Sequence, residues 1–307
     1  MSAKRGNRGG FNPFRDAKGR WAAPSSSEKP PTATKPPVHE AFNAALRAQA
    51  VAQRATRYEE WKRRHLEGPI PADVPTTAAD GRPRDELSRR QFNERYTVQT
   101  NDTEEEIARA TTRIFGRPVR LQEVARLSGA PDGATVEVRS LSSDTIKLHI
   151  THPLYEKTCR RTIRRDPDGP AIHNDLLILR EDAPKGFGTR ILASQVRAAR
   201  ALGVTQLDLV AGGDADTRQR RGGMNGYYTW PSLGFVGTLD RHIRSHARSS
   251  GLALPARATT AHLLASVEGK AWWLKNGETL EMAFDLRDGS YSMDTLNGKL
   301  TKNGIVP

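Results

Sequence analysis

Two glycines separated by one residue, Gly186 and Gly188, lie directly before an amphipathic helical segment. The stretch Ala183–Gly203 reads APKGFGTRILASQVRAARALG, so the pair falls where a strand pattern gives way to a helical one. The first N–H groups of a helix have no intrahelical acceptor and lie at the positive end of the helix dipole. Because glycines let a ligand approach such a backbone closely, the spacing favours a phosphate or pyrophosphate site.

The same stretch excludes two nucleotide-binding motifs. A dinucleotide fingerprint needs a third glycine and an acidic residue at the end of the following strand, and neither is found here. A nucleotide P-loop needs Gly-Lys-Ser/Thr, which is also missing. Taken alone, the glycine pair is equally compatible with a plain strand-to-helix turn.

Candidate proton-transfer residues lie on the strand pattern that precedes the loop. His173 and Asp175 alternate onto one face of the segment 171–181, and both side chains suit general base chemistry. The alternative is a polar cluster at a strand start, paired with the neighbouring turn. A single cysteine, Cys159, excludes an internal disulfide and a cysteine-based zinc site, so we predict no metal site.

Hydrophobic periodicity predicts the elements that position these residues. Thr103 and Glu106 form a capping box that opens a helix ending at Phe115, and a second short helix covers 120–129. A helix pair of this kind is also compatible with a DNA-reading unit. Alternating patterns predict strands at 95–100, 135–141, 145–152, 155–165, 171–181 and 205–211. A helix between the last two strands predicts a crossover with parallel strands.

The run from Gly186 to Ala211, together with Leu-Gly-Phe at 233–235, resembles the coenzyme loop and helix of the GNAT acetyltransferase superfamily. The resemblance spans about 135–236 and implies an α+β fold with a mixed central sheet flanked by helices. It also implies an acyl-CoA, such as acetyl-CoA, bound through the loop, and an amine-bearing small molecule or protein as acyl acceptor. The implied coenzyme-binding residues are Lys185, Gly186, Phe187, Gly188, Thr189 and Arg190.

The chain departs from the family pattern in several places. Ala183 stands where the family usually has Gln or Arg, and Trp230 stands where a tyrosine commonly protonates the departing thiolate. An indole cannot serve as that acid, so Tyr228, close to Pro231, becomes the candidate. We also count one strand more than usual before the loop. The alternative function is a catalytically inactive GNAT-like scaffold, associated with a phage virion or contacting nucleic acid, so whether the chain is an enzyme stays open here.

Composition divides the chain into four predicted regions. Residues 1–37 read as a disordered, basic and Pro-rich arm, and 38–94 as a helix and linker. Residues 95–240 form the predicted GNAT-like domain. Residues 241–307 form a predicted C-terminal extension with a helix at 259–268, a β-hairpin that turns at Asn276-Gly277 and a last helix opened by Ser290.

Charge and hydropathy limit the kinds of partner that we expect for the chain. The formal net charge is +13, and the first 100 residues carry 19 Lys and Arg against 11 Asp and Glu. A basic arm of this kind favours weak nucleic-acid contact or solubility. The segment FNPFRDAKGRW in the arm resembles short tails of phage head proteins. No apolar stretch approaches a membrane span, so we expect no membrane partner and a cytoplasmic or virion-associated location. The sequence does not define an oligomeric state.

Overall fold

The computed structural model describes residues 92–219 and 224–305. The predicted arm at 1–37 and almost all of the predicted region 38–94 lie outside these residues. The described part is organised around one seven-stranded sheet in which the strands follow chain order from β1 to β7. The strands are Thr97–Thr100 (β1), Thr135–Ser142 (β2), Thr145–Thr151 (β3), Cys159–Asp166 (β4), Gly169–Leu176 (β5), Gln206–Ala211 (β6) and Leu280–Asp285 (β7).

The helices occur between these strands and after them. The first three are Glu104–Phe115 (α1), Leu121–Arg126 (α2) and Phe187–Ala201 (α3). The remaining helices in residues 92–219 and 224–305 are Ala215–Gln219 (α4), Gly226–Ser232 (α5), Arg241–Ser249 (α6), Thr260–Leu264 (α7), Val267–Asn276 (α8) and Tyr291–Lys302 (α9).

The sheet is mixed. Strands β2 to β5 form an antiparallel meander, and β1 lies parallel to β2 after a connection through α1 and α2. Helix α3 joins β5 to the parallel strand β6, as the crossover pattern predicts, and β7 closes the order antiparallel to β6. The predicted α+β class, a mixed central sheet flanked by helices, is confirmed.

One face of the sheet is apolar and carries the helices. A cross-strand row on this face is fully buried and consists of Ile146, Ile163, Ile172, Leu207 and Phe284. Side chains on the same face bond directly to the helical layer. Arg165 donates to the Ile114 carbonyl at the end of α1, and Arg161 bonds to Gln195 of α3.

The opposite face of the sheet is polar. Its central cross-strand row consists of Arg139, Lys147, Thr162, His173 and Asp208, one residue from each of β2 to β6. None of the five is fully buried, in contrast with the apolar row on the other face. The period of two along each strand therefore separates the packing residues from the residues with acid–base chemistry.

The C-terminal region differs from the prediction. The expected hairpin around Asn276-Gly277 is wrong, because its first strand is helix α8. Ser266 caps this helix by accepting from the Gly269 N–H at 2.9 Å, and the Trp273 indole is buried and donates to the Tyr227 carbonyl at 2.9 Å. The expected helix at 259–268 is instead divided between α7 and α8.

The last strand has a different partner from the predicted one. Strand β7 pairs with β6 along its whole length instead of forming a hairpin with the segment before it. The region after residue 240 therefore contributes an edge strand to the central sheet. The domain limits drawn from composition stay a prediction.

Candidate functional site

The loop that contains Gly186 and Gly188, here called the glycine loop, leaves two backbone donors without a described acceptor at the start of α3. Gly186 is the N-cap and has a φ of +82°, a left-handed conformation that glycine adopts without strain. The helix begins with the Arg190 N–H bonded to the Gly186 carbonyl at 3.1 Å. Among the described residues, none accepts a hydrogen bond from the N–H of Gly188 or Thr189. First-turn N–H groups that lack an acceptor are the groups that bind anions at the start of a helix.

Two side chains of the glycine loop, Phe187 and Arg190, are buried. Phe187 is fully buried, with its ring 5.7 Å from that of Phe92 between centroids. The Arg190 side chain is also buried, and its Nη1 donates to the Lys185 carbonyl at 3.3 Å. Burial lowers the pKa of Arg190 to about 10, so the guanidinium is still cationic at neutral pH. Of the predicted coenzyme-binding residues, Lys185 is exposed, Gly186 and Gly188 are partly exposed, and Phe187, Thr189 and Arg190 are buried.

Strands β5 and β6 separate at the end of the sheet where the loop begins. Their parallel ladder runs from Ala171 to Asn174 and stops, although β5 continues to Leu176 and β6 to Ala211. Beyond the ladder each strand still pairs with its outer neighbour, β4 or β7. The carboxyl end of this parallel pair therefore opens, which is where ligands bind in sheets of this kind.

His173 lies on the polar face and contacts a carboxylate. Its Nδ1 meets Oδ1 of Asp208, its neighbour in register on β6. Oδ2 of Asp208 accepts from Arg164 Nη2 at 2.9 Å. The His173 side chain is 29% exposed and that of Asp208 is 16% exposed, so solvent reaches the imidazole more than its partner. The arrangement fixes the ring and suits a proton acceptor.

Asp175, the second candidate base, shares this face but has a separate partner. Its Oδ2 accepts from Thr162 Oγ1 at 2.8 Å, and no described contact joins it to His173. Both candidates lie opposite the face that carries α3. The ladder between β5 and β6 ends one residue after His173, at Asn174.

Tyr228 lies in α5. The Arg218 guanidinium carbon is 5.2 Å from the centre of the Tyr228 ring, a cation–π distance. Its described contacts include neither His173 nor the glycine loop. Trp230 packs edge-on against Phe235 of the Leu-Gly-Phe motif, with ring centroids 5.2 Å apart. Trp230 is therefore a packing residue.

Sequence reasoning missed Asp208 and Arg164. The available signal was the aspartate itself, a carboxylate within the otherwise apolar pattern of TQLDLVA. Its importance becomes visible only when the parallel register sets it beside His173. In the described part of the chain, no group of three or more His, Cys, Asp or Glu side chains is arranged to hold a metal ion.

Comparison with known proteins gives little further identification. No protein-family model matches the sequence, and no curated protein matches it. Among solved structures, one named for the GNAT acetyltransferase family, from Desulfovibrio desulfuricans, covers 47% of this chain and 71% of its own, with 11% identity and a TM-score of 0.21. A likeness at this level carries no argument about activity. No helix among the described residues is long and apolar enough to cross a membrane.

Proposed function

We propose that this chain is an acyl-CoA-dependent N-acyltransferase that acts on a primary amine. The observation that carries the proposal is the unit β5–glycine loop–α3–β6, in which the parallel ladder ends at Asn174 and Leu209 and the Gly188 and Thr189 amides have no described acceptor. This combination supports the GNAT resemblance of the sequence, since first-turn amides without a described acceptor follow a parallel strand pair whose ladder ends before its carboxyl end.

The loop residues fit a coenzyme pyrophosphate. The first-turn amides of Gly188 and Thr189 are available donors, and the buried Arg190 cation lies within 3.3 Å of where a Gly186 Cβ would stand. A Cβ at Gly188 would meet one described neighbour, Leu179 Cδ1 at 3.4 Å, so the backbone there is open to close approach. Lys185 is exposed and adds a mobile positive charge to the same loop.

The polar face supplies the acid–base groups of the proposed reaction. An acyl-CoA contributes an acyl group activated as a thioester. His173 takes a proton from the attacking ammonium group at Nε2, and Asp175 is the alternative acceptor. The amine nitrogen then bonds to the acyl carbon as the carbon–sulfur bond breaks. We assign Tyr228 to protonate the departing thiolate, because Trp230 has no acidic group for that role, and the second proton that the nitrogen loses on becoming an amide restores the Tyr228 phenol through solvent.

Calorimetric titration with acetyl-CoA tests the binding step. Gly188→Val introduces a branched side chain beside the free amides, and we expect at least about tenfold weaker binding, or ~1.4 kcal/mol. Gly298→Val is the matched control, because it places the same side chain in α9 where nothing lies within 4 Å. No heat and no thermal shift at millimolar acetyl-CoA would overturn the proposal.

Release of free thiol tests turnover with a panel of primary amines. The single cysteine of the chain, Cys159, is buried, and burial raises the pKa of its thiol, so the protein contributes little background. His173→Gln is expected to bind acetyl-CoA normally and to lose about 10²-fold or more in kcat. Binding without thiol release from any amine would support the catalytically inactive alternative.

A further inference from the structure

The carboxylate of Asp208 connects two side chains of neighbouring strands. One oxygen contacts His173 Nδ1, and the other accepts from Arg164 Nη2 at 2.9 Å. Arg164 is itself held by Asp166, through Nε to Oδ1 at 2.9 Å and through Nη2 to Oδ2 at 3.2 Å. The result is a continuous chain of charged and polar contacts across β4, β5 and β6.

The backbone of Asp208 is hydrogen-bonded to a neighbouring strand on each side. Strand β6 lies inside the sheet, between β5 and β7, and the residues on either side of the aspartate, Leu207 and Leu209, are buried on the apolar face. His173 and Asp208 are direct partners in the parallel ladder, so their side chains leave the same face side by side. The Asp208 carboxylate has a second bond, from Arg164 Nη2, that holds it in place beside the imidazole.

A carboxylate has no proton to donate at neutral pH and accepts only. Its contact with Nδ1 therefore requires the proton of a neutral imidazole to reside on Nδ1, which leaves the lone pair on Nε2. Arg164 occupies the second oxygen of Asp208 and keeps the carboxylate from rotating. Nothing else described contacts Nε2 of His173, whose side chain is 29% exposed.

We propose that Asp208, held by Arg164, is the positioning residue for His173 as general base, an inference that rests on the acyl transfer proposed above. The proton of the attacking ammonium moves to Nε2 and produces an imidazolium. The Nδ1–H stays bonded to Asp208, which takes no proton and stabilises the positive charge. His173 then returns the Nε2 proton to solvent after the amide has formed.

The tautomer of His173 tests this role without any coenzyme. Two-bond ¹H–¹⁵N correlation spectra of the ¹⁵N-labelled full chain distinguish Nδ1–H from Nε2–H, and His173→Gln assigns the signal. We expect Nδ1–H in the wild type when the ring is neutral. Asp208→Asn offers an amide N–H to Nδ1 and is expected to convert the ring to Nε2–H. Retention of Nδ1–H in a folded Asp208→Asn variant overturns the proposal.

Kinetics supply the second measurement. Asp208→Asn is expected to lower kcat by about 10²- to 10⁴-fold while the Kd for acetyl-CoA stays within about twofold. Asp208→Glu keeps an acceptor and is expected to retain the Nδ1–H tautomer and a larger kcat than Asp208→Asn. Asp168→Asn is the matched control, since Asp168 lies in the turn between β4 and β5 and shares no described contact with Arg164, Asp208 or His173, and the His173 tautomer in this variant is expected to be unchanged.

The two proposals fail in different ways. Absence of acetyl-CoA binding in the wild type removes the acyltransferase function, whatever the tautomer. Normal binding and turnover in Asp208→Asn removes the positioning role and leaves the acyltransferase function intact. If Asp208→Asn does not fold, the Asp208→Glu variant tests the proposal instead. A switch of His173 to the Nε2–H tautomer in that variant contradicts the role assigned to Asp208.

Discussion

Arg161 on β4 donates from Nη1 to Oε1 of Gln195 on α3 at 2.7 Å, in the interior between the sheet and the helix. Both residues are almost completely buried. Arg161 Nε also donates to the Ser128 carbonyl at 2.8 Å, and Gln195 Nε2 donates to Asn174 Oδ1 at 3.0 Å. The helix that begins at the glycine loop is thus tied to the sheet by a buried guanidinium bonded to neutral oxygens.

This network predicts energetic coupling between the two residues. Arg161→Ala leaves the Ser128 carbonyl and Gln195 Oε1 without this buried donor, and we expect it to lower the free energy of unfolding by about 3 kcal/mol. Gln195→Ala should cost about 1–2 kcal/mol. Because the two side chains share a bond, the double variant should cost at least about 1 kcal/mol less than the sum. Urea unfolding of all four proteins measures the cycle, and additive effects would contradict the network.

Local signals in the sequence predicted most of the fold. The capping box of α1 is present, with the Glu106 N–H bonded to Thr103 Oγ1 at 3.2 Å and the Thr103 N–H bonded to Glu106 Oε2 at 2.8 Å. The exception is α8, where Trp272, Trp273 and an Asn-Gly pair favoured a hairpin. Burial of Trp273 against Tyr227 decides in favour of a helix, and such a contact between distant residues has no local signature.

The candidate site was predictable in its individual residues but not in its connections. The types and spacing of His173 and the two glycines marked them directly. Asp208 lies 35 positions after His173, and its proximity depends on the register of the parallel pair. The opening between β5 and β6 depends on where the ladder stops, which no residue type specifies. These features come from pairing across the sheet, which a reading of one segment at a time cannot provide.

Alanine substitutions at two exposed glycines should change the free energy of unfolding in opposite directions. Gly298 lies inside α9 and Gly203 follows α3, and a Cβ at either position meets nothing within 4 Å. Gly298→Ala improves helix propensity and is expected to stabilise the protein by about 0.5–1 kcal/mol. Gly203 has a φ of +71°, so Gly203→Ala is expected to destabilise it by about 1 kcal/mol. Thermal and urea unfolding measure both, and equal signs would exclude backbone conformation as the cause.

Alanine substitutions at the two glycines of the loop should also differ in how much they lower the free energy of unfolding. Gly186 has a φ of +82°, and a Cβ there would lie 3.3 Å from Arg190 Nη1. Gly186→Ala is therefore expected to lower the free energy of unfolding by about 1–2 kcal/mol. Gly188 has no such conformation and its nearest described neighbour would be at 3.4 Å, so Gly188→Ala should stay within about 0.5 kcal/mol. Urea unfolding distinguishes the two, and an equal cost would contradict the assigned N-cap.

The Tyr155 hydroxyl is buried and has no hydrogen-bond partner among the described residues. Its ring lies 6.4 Å from that of Phe187, at the start of α3, between centroids. Tyr155→Phe removes a desolvated polar group and keeps the ring, so we expect it to stabilise the protein by about 1 kcal/mol at pH 7. Tyr291→Phe is the control, since Tyr291 is exposed and the same change there should have little effect.

The stability difference between Tyr155→Phe and the wild type should grow above pH 10. Burial raises the pKa of Tyr155 well above 10, so the phenol stays protonated in the folded protein. In the unfolded chain it ionises near pH 10, and the wild type loses stability above that pH by up to about 1.4 kcal/mol per pH unit. The phenylalanine variant lacks this loss. Urea unfolding at pH 8, 10 and 11 measures the difference, and a constant difference would show that Tyr155 ionises equally in both states.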